Sequence, residues 1–381
     1  MNIINKVLIV GGGIGGQSVG IALRQIGINV EIAEIQPKFD VYGVGIIQQS
    51  NALRALDSLG VAKETLKNGF PYGNVKMFTN TGHSIGEVGI PPLEGFPVHN
   101  GISRRVLHEI LLERSIEVGV TYRMNLTIDK IVDNGYAGVD VDFSDGTKGN
   151  YDILIGADGI NSKVRGLIFG DYKPNYVGLS VWRYAFKRPK DLETSYMWFG
   201  KKSKIGLVPM TEESCYMFVV SAEGADNPFL HKDKLVPMLK DYLDEYSSVP
   251  MVSNLIDEIN DPNLVNYRPL ETISVKAPWH KGNVIIIGDS AHATIPQLGS
   301  GAALAIEDAV VLGEEMKKQD NIEAIFSRFM ERRYDRCRMV VENSELLGRL
   351  ELMAFEGKPL PEGANIGAIM GKTLMTLAQP I

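Results

Sequence analysis

The chain has 381 residues, of which 44% are hydrophobic and 22% charged. This composition excludes wholesale disorder and allows two or three domains with a large core. Lys and Arg number 39 against 46 Asp and Glu, so the formal net charge is -7. The acidic balance gives no support for nucleic-acid binding, and no apolar run reaches the length of a membrane span. We therefore expect no nucleic-acid partner and no stable membrane insertion.

The two cysteines, Cys215 and Cys337, lie far apart in the chain. They exclude a disulfide framework, a CxxC redox centre and a cysteine-built zinc site. No two of the six histidines have i, i+4 spacing, and no carboxylate cluster completes a metal site. We expect a cytoplasmic protein without a bound metal ion.

Hydrophobic periodicity and turn residues predict the secondary structure. In chain order the predicted elements are a strand at 5–10, a glycine turn at 11–16, a helix ending at 27, a strand at 29–34, a helix at 50–59, paired strands at 74–79 and 84–89, a helix at 104–118, strands at 139–143 and 152–155, three or four β-rich segments between 181 and 220, a helix at 232–246, a strand at 284–287, a helix from about 301 to 316, a helix at 322–350 and an amphipathic tail at 366–377.

The middle of the chain changes from alternating strands and helices to an antiparallel meander. We therefore predict a nucleotide-binding domain interrupted by a β-rich domain and followed by helices. The predicted ranges are 1–72, 99–175 and 268–335 for the first domain, 73–98 and 176–267 for the second, and 336–381 for the C-terminal helical segment.

The glycine turn carries the first chemical motif. Gly11 permits a tight turn, Gly13 lets a pyrophosphate approach the backbone, and Gly16 allows close packing of helix on strand. Glu34, at the end of the second strand, can accept hydrogen bonds from ribose hydroxyls. The unit predicts a dinucleotide site and leaves NAD and FAD both open.

A second glycine–aspartate strand end lies at Val284 to Asp289. There a carboxylate can point at a polyol such as a ribityl chain. The loop from Pro296 to Gly301, with the helix that follows, can stabilise a ring that becomes anionic on reduction. Together these features favour a flavin.

Three segments resemble the fingerprints of one family. They are GGGIGG with Glu34, GADGINSKVR at Gly156 to Arg165, and GDSAHATIPQLGSGAALAIEDA at Gly288 to Ala309. In this order they resemble the single-component FAD-dependent aromatic hydroxylases of the para-hydroxybenzoate and salicylate hydroxylase type. The resemblance implies an α/β fold: a Rossmann-like FAD-binding domain, an inserted antiparallel β-sheet substrate domain and C-terminal helices.

The resemblance also implies roles for single residues. The ADP half of FAD would be held by Gly11, Gly13, Ile14, Gly15, Gly16 and Glu34. Arg104 would reach the phosphates or the ribityl chain, and Asp289 would bind the ribityl hydroxyls. Asp158 and Gly159 belong to a motif associated with both FAD and the pyridine nucleotide. The isoalloxazine would be lined by Pro296, Gly299, Ser300, Gly301 and Ala302, with Pro296, Gly299 and Gly301 beside the position where oxygen reacts. Many relatives have glutamine where this chain has Ser300, which leaves any side-chain role of that glutamine in doubt.

The implied reaction uses NAD(P)H as a transient co-substrate and O2, and passes through a flavin C4a-hydroperoxide. Arg183, Trp198, Met210 and Tyr216 are the candidate substrate contacts. Trp182, Tyr184, Tyr196 and Phe218 share the same aromatic segments, and for most of these residues, taken singly, ordinary strand packing is the favoured explanation.

We therefore expect a monomeric or homodimeric enzyme that hydroxylates a small aromatic or N-heteroaromatic compound. Three alternatives stay open: hydroxylation or epoxidation of a larger polycyclic, polyketide-like or purine substrate, a flavin oxidase or dehydrogenase, and a non-catalytic flavin-binding protein. Gly82–Gly86 (GHSIG) fits the GxSxG pattern of hydrolases. That motif needs a following helix, whereas its surroundings here predict a hairpin, so we set hydrolase activity aside.

Overall fold

The computed structural model describes residues 4–39, 43–89, 92–224 and 229–381. Its strands are β1 (Lys6–Val10), β2 (Asn29–Glu34), β3 (Gly45–Gln49), β4 (Phe70–Tyr72), β5 (Val75–Thr79), β6 (Ser84–Val88), β7 (His99–Ser103), β8 (Thr121–Met124), β9 (Ile128–Asp133), β10 (Val139–Phe143), β11 (Lys148–Tyr151), β12 (Ile153–Gly156), β13 (Asn175–Lys187), β14 (Tyr196–Phe199), β15 (Ser203–Pro209), β16 (Ser214–Ala222), β17 (Asn266–Thr272), β18 (His280–Lys281) and β19 (Val284–Ile286).

The helices are α1 (Ile14–Gln25), α2 (Ser50–Ser58), α3 (Ala62–Lys67), α4 (Arg104–Glu117), α5 (Lys163–Phe169), α6 (Lys232–Asp244), α7 (Pro250–Ile256), α8 (Asp289–His292), α9 (Gly301–Lys317), α10 (Ile322–Phe355) and α11 (Ile366–Ala378). Short 3-10 helices cover Gly135–Ala137 and Pro296–Leu298.

The first sheet has the order β18-β19-β12-β1-β2-β8. It is parallel except at β18, which pairs antiparallel with β19. The run Val7, Leu8 and Ile9 in β1 is fully buried, as is typical of a parallel strand covered on both faces. Its core also contains residues of β10, α9 and α10, so elements distant in sequence cover this sheet.

A seven-stranded sheet has the order β17-β13-β16-β15-β14-β5-β6. Side chains alternate along its strands, so the two faces have separate cores. Trp182 of β13 and Met217 of β16 belong to the cluster formed with α6 and α7. Arg183 and Phe218, paired across the same two strands, lie on the opposite face, which we call the inner face.

A small sheet of order β3-β7-β4 lies against the inner face. A Cβ at Gly45 would lie 2.1 Å from the ring of Tyr216, and a Cβ at Gly101 would lie 2.0 Å from the carbonyl oxygen of Pro209. Only glycine therefore permits this approach, which brings β3 and β7 against β15 and β16.

The predicted fold class is confirmed: a Rossmann-like α/β unit, an antiparallel β-rich unit and C-terminal helices. The GHSIG segment lies in the β5–β6 hairpin, as predicted. One pairing was not predicted, since β14 pairs parallel with β5. The domain boundaries stay a prediction, and the one placed at 335 falls within the continuous helix α10.

Candidate active site

The glycine turn between β1 and α1 leaves the helix N-terminus open. No described side chain caps α1 at Gly13, so the first backbone N–H groups lack side-chain acceptors. A Cβ at Gly13 would meet no described atom within 4 Å, whereas one at Gly16 would lie 1.9 Å from the carbonyl oxygen of Gly11. Gly16 is thus required by the turn, and Gly13 faces free space of the kind a phosphate needs. Ile14 and Gly15 form the first turn of α1.

Glu34 closes one side of this turn. Its Oε2 accepts a hydrogen bond from the N–H of Gly12 at 2.7 Å, and its Oε1 accepts one from the N–H of Gln36 at 2.8 Å. Nε2 of His108 lies 3.0 Å from the carbonyl oxygen of Gly12. Burial lowers the pKa of His108, so a neutral imidazole supports the turn from α4.

The second fingerprint is joined to the third. The carboxylate of Asp158 accepts hydrogen bonds from the N–H groups of Lys163 and Val164 at 2.7 and 3.0 Å and from the hydroxyl of Ser290 at 3.1 Å. The same hydroxyl accepts a hydrogen bond from the N–H of Gly159 at 3.1 Å. Asp158 is therefore occupied in holding α5 and the turn after β19. The N–H of Gly159 is also paired, but a Cβ at Gly159 would meet no described atom within 4 Å, so a ligand can approach the backbone there.

The turn after β19 presents Asp289 to solvent. Asp289 is exposed and makes no hydrogen bond to any described residue. Behind it, Asp308 accepts a hydrogen bond from the N–H of Gly288 at 2.9 Å and lies 2.7 Å from Nε2 of His292. Gly288 has a φ of +55° and packs against Ala305 of α9, which explains the glycine.

A buried charge network supports this turn. Nε of Arg333 donates to Asp308 and Nη1 donates to Glu307, both at 2.7 Å. Burial opposes the ionised form of Asp308, but His292 and Arg333 together hold the pKa of Asp308 well below its usual range. Burial disfavours the imidazolium of His292, yet Cys337 and Asp308 raise the pKa of His292 well above its usual value.

The side chains of His292, Asp308 and Cys337 place their ligand atoms within 4.8 Å of one another. A metal ion could use such a set, but Arg333 donates to Asp308 at 2.7 Å and to the sulfur of Cys337 at 3.4 Å. A guanidinium already supplies the positive charge there, so we assign this cluster a structural role. His292 belongs to it, which places its ring in the core rather than at a substrate.

The segment Pro296–Gly301, called the ring loop below, leads into α9. Gly299 has a φ of +62°, a left-handed conformation that favours glycine. Nε2 of Gln49 donates to the carbonyl of Leu298 at 2.7 Å, and the hydroxyl of Ser300 donates to Oε1 of Gln49 at 3.0 Å. Ala302 lies in the first turn of α9. The loop is therefore held by β3 as well as by its own turn.

Two arginines near the inner face have no acceptor among the residues that the structure describes. They are Arg104, which begins α4 and packs on Gly43, and Arg183 of β13. Burial lowers the pKa of Arg183. The charges of Arg104 and Arg268 lower it further, whereas Tyr216 raises it. Burial in turn raises the pKa of Tyr216 to about 12. Guanidinium groups without an acceptor are candidates for binding an anionic group.

The residues predicted to contact substrate do not all lie on the same face of the sheet. Met210 and Tyr216 share a buried cluster with Tyr72, and Arg183 lies on the same face of the sheet. Trp198 is 2% exposed and packs in the opposite core with α6 and α7. Trp182, Tyr184 and Tyr196 lie in or against that same core, whereas Phe218 faces inward.

Sequence reasoning missed Gln49 and Asp308. Gln49 acts on residues about 250 positions away, and no local pattern reveals such a contact. Asp308 did carry a signal, because Glu307 and Asp308 interrupt a long apolar stretch of α9. Two adjacent acids on a buried helix require cationic partners.

These features fit FAD. The uncapped N-terminus of α1 and the free space at Gly13 suit a pyrophosphate. The unpartnered carboxylate of Asp289 suits a ribityl chain, and Ile295, which precedes the ring loop, packs against Val181 of the inner face. Fold and site together define a flavin-dependent oxidoreductase with a dinucleotide-binding domain.

Comparison with known proteins gives the family. A family model described as FAD binding domain matches residues 5–344. The chain belongs to this family and is an FAD-dependent monooxygenase of the aromatic hydroxylase type that uses NAD(P)H and O2.

Similar proteins cover nearly the whole chain. YetM of Bacillus subtilis (strain 168), whose name places it among FAD-dependent monooxygenases, is 32% identical over 93% of this chain and 96% of its own length. The 2-heptyl-3-hydroxy-4(1H)-quinolone synthase of Pseudomonas aeruginosa (strain UCBPP-PA14) is 28% identical over 90% of this chain and 89% of its own. The crystal structure of Klebsiella pneumoniae HpxO with FAD and uric acid superimposes with a TM-score of 0.82 at 24% identity, covering 98% of this chain and 92% of that one.

Within the described ranges, no helix is both long enough and apolar enough to cross a membrane.

Proposed function

We propose that this monooxygenase hydroxylates a small aromatic or N-heteroaromatic compound that carries an acidic or electron-rich ring substituent. The observation that carries the proposal is Arg183. Its guanidinium lies on the inner face beside the aromatic ring of Tyr216 and has no acceptor in the described part of the chain. Val181, on the same face of β13, shares a hydrophobic cluster with Ile295, which precedes the ring loop.

Each group of residues has a separate task in this proposal. The α1 N-terminus with Gly13 binds the pyrophosphate, Glu34 the ribose and Asp289 the ribityl chain, while Arg104 neutralises phosphate charge. When bound, FAD supplies the redox chemistry that links NAD(P)H and O2 to the substrate.

The remaining residues orient the substrate. The ring loop and the N-terminus of α9, where Gly301 and Ala302 are only partly buried, would supply backbone N–H groups to the ring system. Met210, Tyr216 and Phe218 form an apolar wall for a flat substrate, and Arg183 orients it by pairing with an oxygen anion. An anionic oxygen raises the electron density of an aromatic ring, which favours attack by an electrophilic oxygen atom.

The relatives support this substrate class and widen its size range. The name of one gives a quinolone product, and the bound ligand of another is uric acid, a purine. Both are N-heterocycles, and both carry oxygen substituents on the ring. A larger polycyclic substrate is the second candidate. We further propose a cytoplasmic location, since Cys215 and Cys337 are free thiols, and a monomeric or homodimeric state.

Anaerobic reduction of the FAD-loaded protein tests the proposal. NADH and NADPH are added separately, with and without salicylate, 6-hydroxynicotinate, a 4-quinolone or uric acid. We expect one of these ligands to accelerate flavin reduction, and the aerobic mixture to yield its hydroxylated product by mass spectrometry. Reduction by an aromatic compound without NAD(P)H would instead support an oxidase or dehydrogenase. Failure to bind FAD would overturn the assignment.

A further inference from the structure

A buried ion pair joins the inner face to the C-terminal helices. Nζ of Lys204 on β15 pairs with Oε1 of Glu351 on α10. Their side chains are only 7% and 11% exposed. The other carboxylate oxygen of Glu351 accepts a hydrogen bond from Nε2 of Gln297 at 3.2 Å. Gln297 lies in the ring loop, so one carboxylate connects the sheet, the long helix and that loop.

This arrangement fixes the orientation of the Gln297 amide. The carboxylate of Glu351 requires a donor, so Nε2 faces it and the amide oxygen points away. That oxygen is buried and has no hydrogen-bond partner among the described residues. Leaving a buried acceptor unpaired is costly, and simple packing would place an apolar side chain here instead.

The backbone of α10 reaches the same loop one turn earlier. A Cβ at Gly348 would lie 2.8 Å from Cδ1 of Ile295, the residue that precedes the ring loop. Ile295 is itself buried against Leu179 and Val181 of β13. The apolar contact at Gly348 thus holds Ile295, and the charged contact at Glu351 holds Gln297. These two residues flank Pro296.

We propose that Glu351 is a positioning residue for the flavin ring, acting through Gln297, with Lys204 as its counter-ion. The carboxylate holds the amide of Gln297 and thereby sets the path of the ring loop against the isoalloxazine. The inference rests on the flavin assignment above. It assigns a role in the flavin site to a residue of the C-terminal helices, outside all three glycine-rich fingerprints.

The test must separate this role from simple stability, because removing one partner of a buried ion pair leaves an unpaired charge. The key variant therefore replaces both charges, with Lys204→Met and Glu351→Leu in one protein. Apolar replacement of a buried pair is often close to neutral for stability, so we expect this variant to fold. Gln297→Leu is the companion variant, since it removes the amide and leaves the ion pair. Glu342→Gln breaks the exposed pair with Arg338 on the same helix and is the matched control.

The readouts are the FAD dissociation constant, the absorbance spectrum of bound FAD and the rate of hydrogen peroxide formation with NADPH alone. We expect the double variant and Gln297→Leu each to weaken FAD binding about tenfold, to shift the flavin spectrum alike and to speed peroxide formation. A protein with all three substitutions should show the same FAD affinity, spectrum and peroxide rate as Gln297→Leu, because all of them break the same contact between Gln297 and Glu351. Glu342→Gln matches the wild type.

A double variant or a Gln297→Leu protein with the wild-type FAD affinity and spectrum would overturn the positioning role. Additive effects of the combined substitutions would overturn it as well. If the double variant fails to fold, Gln297→Leu alone decides by the same criteria. A wild-type protein that takes up no FAD is a different result, because it overturns the flavin assignment itself.

Discussion

The hydroxyl of Ser300 donates a hydrogen bond to Oε1 of Gln49 at 3.0 Å, across 251 positions of sequence. Ser300 lies between the two glycines at the end of the ring loop. Here the amide next to the ring loop comes from β3, and it also donates to the carbonyl of Leu298 at 2.7 Å. Both side chains are buried, so the pair fixes the loop conformation from outside the fingerprint itself.

Gln49→Leu removes both hydrogen bonds of this pair. We expect it to lower the free energy of unfolding by about 1 kcal/mol, because two buried hydrogen bonds are lost while the hydroxyl of Ser300 can still donate to the carbonyl of Leu298 at 2.9 Å. Binding of FAD weakens as well, because the ring loop is no longer held. Chemical denaturation and FAD titration measure the two effects. Gln25→Leu, at an exposed position of α1, is the control. Unchanged FAD affinity in Gln49→Leu would contradict a role for β3 in the site.

Gly13 and Gly16 lie in one turn, but glycine is needed at Gly13 for ligand binding and at Gly16 for backbone packing. Gly13 has a φ of -75° and free space at its Cβ position, so Gly13→Ala leaves the stability of the FAD-free protein unchanged. It weakens FAD binding about tenfold or more, because the methyl group occupies the approach of the pyrophosphate.

Gly16→Ala behaves in the opposite way. Its Cβ would lie 1.9 Å from the carbonyl oxygen of Gly11, so we expect loss of more than about 3 kcal/mol of stability before any ligand is added. Thermal melts of the FAD-free proteins and FAD titrations distinguish the two variants. Equal melting temperatures for Gly13→Ala and Gly16→Ala would show that the turn geometry is wrong.

Asp289→Ala tests the polyol contact. Asp289 is exposed and makes no hydrogen bond to a described residue, so its loss leaves the stability of the FAD-free protein unchanged. FAD binding weakens by about tenfold, since a carboxylate that accepts from hydroxyl groups is removed. Equilibrium dialysis with FAD measures the affinity. Asp171→Ala changes an exposed acid remote from the site and serves as the control. Normal FAD affinity in Asp289→Ala rules out the proposed contact.

Arg183→Met tests the anion contact on the inner face. We expect KM for an anionic probe such as salicylate to rise about tenfold or more, whereas FAD affinity stays unchanged. The rise in KM reflects a missing charge-assisted hydrogen bond and not a loss of packing against the substrate, since methionine keeps most of the volume. Steady-state kinetics with salicylate and with neutral phenol separate these effects. Arg105→Met removes an exposed arginine of α4 as a control. Equal losses for both probes are incompatible with charge recognition.

The ion cluster around Glu315 predicts that the protein loses stability in acid. Burial opposes its ionised form, but hydrogen bonds from Lys318, Arg328 and Arg332 lower the pKa of Glu315 to about 2, against an ordinary value of 4.5. A lowered pKa in the folded state contributes stability above pH 4.5 that is lost as the pH falls toward 2.

We therefore expect the melting temperature of Glu315→Gln to lie well below that of the wild type at pH 7. The difference in melting temperature should disappear as the pH falls from 4.5 to 2. Thermal unfolding across this range measures it. Glu314→Gln, at a neighbouring exposed position, is the control and shows a small effect at every pH. A gap between Glu315→Gln and the wild type that does not depend on pH would be inconsistent with the ion cluster.

Much of the fold could be predicted because its signals are local. Apolar β-branched runs such as 6–10 and glycine stops such as Gly27 depend on the chain immediately around them, and so do the three fingerprints. The parallel pairing of β14 with β5 could not be predicted, because it brings together strands more than 100 positions apart. Trp198 shows the same limit for the site. An aromatic strand predicts a buried side chain, but which face it occupies depends on sheet register.

The sequence by itself determined the class of chemistry in this protein. Glycines at fixed spacing and acids at strand ends follow from backbone geometry that any such turn must adopt. Only the tertiary structure decided which side chains support the flavin site. Gln49, Asp308 and Glu351 each act on residues of distant segments, and their hydrogen bonds exist only after the two sheets and α10 have packed together. Side-chain contacts between distant segments depend on the assembled core, and that assembly leaves no periodic trace in the sequence.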